Sequence, residues 1–129
     1  MTKLSFVNIE DRTDDIVDDV MRLPEVQGED AFKLRLIVEE VVSNIVFHAY
    51  PKGEDGGMTI CAERDDEGVT LVFTDCGISF NPLEKPDPDI SLSAEERPIG
   101  GLGIFLLKQM AREVEYVRSE NSNILTVKV

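Results

Sequence analysis

The chain has 129 residues, of which 42% are hydrophobic, and it carries 13 basic against 26 acidic side chains. A chain of this length is expected to form one domain, spanning residues 1–129, with a core of ordinary size. The formal net charge of −13 disfavours binding to nucleic acid or anionic lipid, because both rely largely on Lys and Arg. We therefore expect any regulatory role to be exerted through another protein.

The sequence also bears on where the protein acts. It contains no tract of about 18 apolar residues, so it predicts no membrane span. The first residues, Met1 to Ser5, lack the apolar run of a secretory signal. Cys61 and Cys76 are too few and too far apart for a zinc cluster or a disulfide framework. Together these features predict a reduced, cytoplasmic location.

Helical and β-strand patterns succeed one another along the chain. The predicted elements, in order, are a strand over 4–9, a helix over 10–23, a helix over 30–50, a hairpin over 58–63 and 69–74, a loop over 83–99, a helix over 102–111, and a hairpin over 114–117 and 124–129. The strand pairs are joined too tightly for parallel crossovers. The predicted fold class is therefore α+β, a two-layer α/β sandwich with a mostly antiparallel sheet and helices on one face.

The helix predicted over 30–50 carries the first chemical signal. Apolar residues form one broad arc at 100° per residue, and Glu40, Ser43 and Asn44 project from the opposite side. Glu40 and Asn44 are one turn apart, so their side chains are neighbours. Carboxylate and carboxamide oxygens suit a hard cation with bound water. A solvated face of an amphipathic helix would give the same pattern.

Two glycine-bearing stretches supply the remaining signals. Asp75 ends a predicted strand and Gly77 follows it, which would let a ligand approach the backbone closely, although an ordinary turn has the same pattern. The glycines of residues 100–103 open the next helix. Exposed N–H groups and the positive end of the helix dipole suit phosphate there. Taken alone, this stretch is equally typical of a flexible hinge, and it is not a Walker-type loop.

Considered together, the three stretches resemble the N, G1 and G2 boxes of the GHKL ATPase superfamily. The form is that of the anti-sigma-factor serine kinases of the RsbW and SpoIIAB type. The matching residues are Glu40-Val41-Val42-Ser43-Asn44 with His48-Ala49-Tyr50, Asp75-Cys76-Gly77 with Phe80-Asn81-Pro82, and Gly100-Gly101-Leu102-Gly103-Ile104. The boxes occur in the family's order. Asn81 is a departure, because the family commonly has aspartate there.

The resemblance implies a Bergerat-type ATP site. By that likeness, Asn44 would hold the Mg²⁺ that bridges the phosphates. Asp75 would accept a hydrogen bond from the adenine amine, with Gly77 making room for the base. Glu40 matches the family's catalytic glutamate, which would take the proton from a serine hydroxyl of the partner as that oxygen attacks the γ-phosphate.

The resemblance also implies how the rest of the chain surrounds the nucleotide. Gly101, Leu102 and Gly103 would line the phosphates, and Thr126, in a stretch similar to the family's final strand, would join the nucleotide-binding set. Residues 83–99 would form an ATP lid that is mobile without nucleotide and ordered with it. This segment is rich in Asp and Glu, so Mg²⁺ must do much of the neutralising of the triphosphate.

We therefore expect an ATP-dependent serine-protein kinase that acts as an anti-sigma-factor-like regulator. By the family likeness it would phosphorylate a STAS-domain anti-anti-sigma factor and sequester a sigma factor or other regulatory protein, without direct contact to nucleic acid or membrane. Homodimerisation is implied as well. Two alternatives stay open: a non-catalytic nucleotide-binding module that switches partners, and a detached histidine-kinase catalytic domain. The second is disfavoured by the form of the first box and by the expectation that no phosphoacceptor domain precedes it.

Overall fold

The computed structural model describes residues 1–51, 54, 56–84 and 102–129. Within these ranges the α-helices are α1 (Thr13–Met21), α2 (Ala31–His48) and α3 (Leu102–Met110). The strands in the same ranges are β1 (Thr2–Phe6), β2 (Met58–Asp65), β3 (Gly68–Asp75), β4 (Glu113–Ser119) and β5 (Ser122–Lys128). Short 3-10 turns lie at Pro24–Val26 and Pro82–Glu84. No helix in the described part of the chain has the length and apolar character to cross a bilayer.

The described strands form one antiparallel sheet in the order β1-β2-β3-β5-β4. Both predicted hairpins are present, as β2–β3 and β4–β5. The register places Phe73 beside Ile60 on one side and Leu125 on the other. Side chains alternate between the two faces of a strand. These three therefore lie on the same face, and all three are buried.

The helices cover this face of the sheet. Residues that share the core come from all three helices and from four of the described strands: Ile16, Val17 and Val20; Leu34, Ile37, Val38, Val41 and Val42; Ile104 and Leu107; Phe6; Met58, Ile60 and Ala62; Val69, Leu71 and Phe73; Leu125 and Val127. Each fully buried aliphatic side chain contributes about 1.5–3 kcal/mol of transfer free energy. The predicted α+β class, with helices on one face of an antiparallel sheet, is confirmed.

Helix α2 crosses the middle of this layer and positions the polar residues of the site. Its N-cap is Asp30, whose side chain accepts a hydrogen bond from the Lys33 backbone N–H at 3.1 Å, as expected for a helix start. The predicted apolar arc is buried at its centre and partly buried at Ile45 and Val46. The opposite side, which carries Glu40, is only partly covered.

The N-terminal segment differs from its prediction. Strand β1 begins at Thr2 and ends at Phe6, where its pairing with β2 ends at Met58. Asn8 and Asp11 then adopt left-handed backbone angles, with φ of 51° and 61°, which neither a strand nor a right-handed helix continues through. For this reason the strand predicted over 4–9 ends at Phe6 and the helix predicted over 10–23 begins only at Thr13. The strand also begins two residues before its predicted start, and the helix ends at Met21.

Candidate functional site

A cleft opens where the C-terminal half of α2 meets the ends of β3 and β5. The lining is mostly apolar, with a few polar groups at one end: Val41, Asn44, Ile45, Ala49, Phe73, Asp75, Phe80, Pro82, Ile104, Tyr116, Asn123 and Leu125. An apolar slot with a few fixed polar groups is typical of sites for planar ligands such as a nucleobase.

Asp75 provides the carboxylate of this cleft. It is the last residue of β3 and is only 5% exposed. Its Oδ1 accepts hydrogen bonds from the Gly77 N–H and from Asn123 Nδ2, both at 2.9 Å. Burial raises the pKa of Asp75, while these two hydrogen bonds and the charge of Arg118 oppose that rise. The two bonds hold the carboxylate in one orientation inside the cleft.

Gly77 is required by packing against the end of α2. A Cβ at this position would lie 2.1 Å from the Ala49 carbonyl oxygen. The same oxygen accepts the Ile78 N–H at 2.8 Å. The turn after β3 is fixed from the other side by Tyr50, whose hydroxyl donates to the Gly57 carbonyl at 2.7 Å and accepts the Cys76 N–H at 3.0 Å. In the structure, therefore, the missing side chain lets the turn approach α2.

Glu40 and Asn44 form a directly bonded pair on α2. Asn44 Nδ2 donates to the Glu40 side-chain Oε1 at 2.8 Å and to the Glu40 backbone carbonyl at 2.7 Å. The Asn44 amide thus orients the carboxylate, and the Asn44 oxygen is the acceptor end of that amide. Neighbouring Glu39 pairs instead with Arg35 at 3.1 Å. Glu39 thus points away from Asn44, to the flank of the helix face that carries Glu40 and Asn44.

Gly103 lies against the Glu40 carboxylate. A Cβ on Gly103 would be 1.9 Å from Glu40 Oε2 and 2.5 Å from Oε1, so the carboxylate can occupy this position only beside a glycine. On this side, Glu40 and Gly103 line a second cleft together with α1 and α3 residues, including Leu106 and Met110. Glu40 is thus bonded to Asn44, which lines the first cleft, and itself lines the second.

The residues present fit a magnesium ion held mainly by a ligand's phosphates. No group of three or more His, Cys, Asp or Glu side chains in the described residues could hold a metal by itself. The chain offers the Asn44 carboxamide oxygen, with Glu40 bonded beside it. Mg²⁺ commonly takes one or two protein oxygens and completes its shell with water and phosphate oxygens. This donor set suits that arrangement.

The segment after β3 also borders the first cleft. Phe80 lines it, and the ring of His48, from the end of α2, stacks on Phe80 with centroids 5.1 Å apart. Asn81 accepts the Leu83 N–H at 2.9 Å through its side chain. It thereby caps the turn at Pro82–Glu84, which explains how asparagine replaces the expected aspartate at little cost.

Sequence reasoning chose Thr126 on β5, and the structure does not bring it to the cleft. Thr126 alternates with Leu125 and Val127, which are buried beneath the helices, so it lies on the opposite face of the sheet. Asn123 is the β5 residue that reaches Asp75, and it was missed. The sequence could have indicated Asn123 only through its position two residues before Leu125, which places both side chains on the same face of β5. Which face of the strand is turned towards the helices depends on the strand register.

The other predicted residues divide between described and undescribed parts of the chain. The structure brings Glu40, Asn44, Asp75, Gly77 and Gly103 around the first cleft and its border with the second. Leu102 begins α3. Gly101 and most of the predicted lid, residues 85–99, lie outside the described residues.

Comparisons with known proteins agree with this geometry. The family described as Histidine kinase-like ATPase domain matches residues 11–129. A histidine kinase domain from the Erythrobacter litoralis EL346 blue-light activated histidine kinase superposes with a TM-score of 0.57 at 16% identity. It covers 88% of this chain and 55% of that one, and it shows the fold alone.

Curated relatives are similar at modest identity. The serine/threonine-protein kinase BtrW of Bordetella bronchiseptica is 27% identical over 96 residues, or 74% of this chain and 68% of the relative. The serine-protein kinase RsbW of Bacillus mycoides is 29% identical over 104 residues, or 78% and 64%. An anti-sigma F factor of Shouchella clausii is 25% identical over 89 residues, or 69% and 61%. The chain thus spans about two thirds of the length of these relatives.

The fold, the cleft and the family match all indicate the same protein family. The antiparallel sheet carries its helices on one face, and the first cleft lies between α2 and the ends of β3 and β5. The match covers nearly the whole chain. The chain belongs to the histidine kinase-like ATPase domain family.

Proposed function

We propose that the protein is an ATP-dependent serine-protein kinase of the anti-sigma-factor type, formed by a single domain over residues 1–129. One observation carries the proposal. Glu40 is oriented by the Asn44 amide at 2.8 Å and stands between the two clefts. A general base must lie between ATP and the hydroxyl group that accepts the phosphate. A carboxylate with a nucleotide cleft on one side and a second cleft on the other meets this requirement.

The first cleft would bind the nucleotide. Asp75 would accept a hydrogen bond from the adenine amine, and the apolar walls, including Phe80, would contact the faces of the base. Asn44 would offer its oxygen to Mg²⁺. When bound, Mg²⁺ supplies positive charge that neutralises the phosphate oxygens as transfer proceeds. Gly101 to Gly103 would border the phosphates with backbone N–H groups.

The second cleft would admit the acceptor. A serine hydroxyl entering beside Leu106 can reach Glu40 from the side opposite the adenine end. Its oxygen attacks the γ-phosphorus, the bond from that phosphorus to the bridging oxygen breaks, and ADP leaves with the electron pair. Glu40 takes the hydroxyl proton. The products are phosphoserine, ADP and a protonated Glu40, so atoms and charge balance.

The partner class follows from charge and from the names of the relatives. The net charge of −13 favours protein partners over nucleic acid or anionic lipid. The relatives named serine-protein kinase RsbW and anti-sigma F factor support a protein acceptor and a sigma factor or similar regulator as the sequestered protein. From the resemblance of the sequence boxes we propose, in addition, a STAS-domain anti-anti-sigma factor as acceptor, action in the cytoplasm and a homodimer.

Two variants on one helix test the assignment. Glu40→Gln keeps size and hydrogen bonding, so Mg²⁺–ATP affinity should persist while phosphotransfer falls by roughly 10²–10⁴-fold. Asn44→Ala should weaken Mg²⁺–ATP binding itself, because a metal ligand is lost. The measurement is single-turnover transfer from γ-labelled ATP to a co-encoded STAS-domain protein, beside calorimetric ATP affinity.

The controls separate kinase from switch. Glu63→Gln makes the same chemical change at an exposed position of β2 that lines neither cleft, and it should change neither the phosphotransfer rate nor the ATP affinity. Wild-type transfer by Glu40→Gln would show that the base is assigned wrongly. ATP binding by the wild type with no transfer to any STAS-domain partner would instead favour the non-catalytic module.

A further inference from the structure

Asn123 is a buried polar residue that lines the first cleft. It is 6% exposed and pairs directly with Asp75 across β3 and β5. Its Nδ2 donates to Asp75 Oδ1 at 2.9 Å and to the Ile78 carbonyl at 2.7 Å. Its Oδ1 accepts from the Tyr116 hydroxyl and from the Phe80 N–H at 3.4 Å. These bonds use both donors and both lone pairs of the amide.

The partners also fix which way the amide points. The Ile78 carbonyl can only accept and the Phe80 N–H can only donate, so the side-chain nitrogen and oxygen cannot exchange places. One side chain thereby joins β3, β4 and the segment after β3 that carries Phe80 into the cleft. A residue with four satisfied bonds at such a junction has a single orientation.

Asp75 depends on that orientation. Both of its hydrogen bonds within the described residues fall on Oδ1, and its second oxygen is therefore the one that a ligand can engage. Hydrogen bonds to a carboxylate stabilise its charged form, which burial disfavours. Among the described residues, the charged or titratable groups that interact with Asp75 include Arg118 on β4 and Tyr50 just after α2, and Cys76 is its neighbour in the chain.

We infer that Asn123 is a positioning residue for nucleobase selection: it holds the Asp75 carboxylate so that its second oxygen meets the exocyclic amine of adenine. The inference rests on the proposed function, because it assumes that the first cleft takes an adenine nucleotide. It assigns selectivity to a residue that acts on the base through Asp75.

The test compares ATP with inosine triphosphate, which has an oxygen in place of that amine. Both affinities are measured by calorimetry with Mg²⁺ for the wild type and for Asn123→Asp, which turns the donor facing Asp75 into an acceptor. The ATP preference should fall by about 10-fold or more, because the loss of a hydrogen bond to a charged group costs at least that factor in affinity. If Asn123 had a merely structural role, Asn123→Asp would weaken the affinity for both nucleotides equally and leave the ratio of the ATP affinity to the inosine triphosphate affinity unchanged.

The matched control is Asn121→Asp, the same chemical change at an exposed turn position two residues away. It should leave the ratio at the wild-type value. If Asn123→Asp does not fold, Tyr116→Phe decides, because it removes one hydrogen bond to Asn123 and should lower the same ratio by a smaller factor. An unchanged ratio in a folded variant overturns the inference alone. A wild type that binds neither nucleotide overturns the proposed function with it.

Discussion

The contact between Gly103 and Glu40 gives a sharp test of the general base. In Gly103→Ala the new Cβ would lie 1.9 Å from Glu40 Oε2, whereas ordinary van der Waals contact begins at 3.4 Å. The carboxylate must therefore move by ~1.5 Å. A misplacement of about 1 Å can cost about 10²-fold in rate, so we expect phosphotransfer to fall by about that factor.

Folding and nucleotide binding should change far less. The clashing atoms are the end of a flexible, partly exposed side chain, which can move without disturbing the core. Alanine also favours a helix over glycine by at most about 0.5–1 kcal/mol. The backbone N–H groups of α3 are retained. Urea unfolding and ATP calorimetry should therefore stay close to the wild type while transfer is lost.

A double-mutant cycle isolates the cause. If Gly103→Ala acts by displacing the base, it should reduce transfer little further in a Glu40→Gln background, because the base is already absent. The assay is single-turnover phosphotransfer to the STAS-domain protein for all four chains. Wild-type transfer by Gly103→Ala, or full additivity with Glu40→Gln, would refute the reasoning.

Three further outcomes are expected. Burial raises the pKa of Asp75, so the native state holds more protons than the unfolded chain between the ordinary and the raised pKa. The stability of the wild type relative to Asp75→Asn should then rise as pH falls through that window, whereas ATP binding should weaken. Urea unfolding across pH measures the stability, and calorimetry across pH measures the ATP affinity. If the stabilities of the two chains respond to pH in parallel, the stability prediction is contradicted. Tyr50→Phe loses the bonds to Gly57 and Cys76 and should lower the free energy of unfolding by about 1–3 kcal/mol, with an unchanged melting temperature as the contrary result. EDTA should weaken ATP binding by the wild type but have little effect on Asn44→Ala, and equal loss in both would place the metal elsewhere.

Local sequence patterns were enough to predict most of the architecture. The apolar arc of α2, the β-rich runs on either side of residues 65–68 and the β4–β5 pair are set by short-range periodicity and turn chemistry. The neighbouring positions of Glu40 and Asn44 follow from helix geometry alone. The roles of Asp75 and Gly77 came from the family resemblance instead, and their placement at the cleft agrees with it.

Tertiary structure decided what depends on register and close approach. The alignment of β5 in the sheet decides whether Asn123 or Thr126 faces the helices, because side chains three positions apart on a strand lie on opposite faces. The sequence could not show that Gly77 packs on Ala49 or that Gly103 lies against Glu40, because those contacts join segments distant in the chain. Helix and hairpin positions were thus determined locally, whereas the orientation of Asp75 and of Glu40 was fixed only when α2, α3 and the sheet packed together.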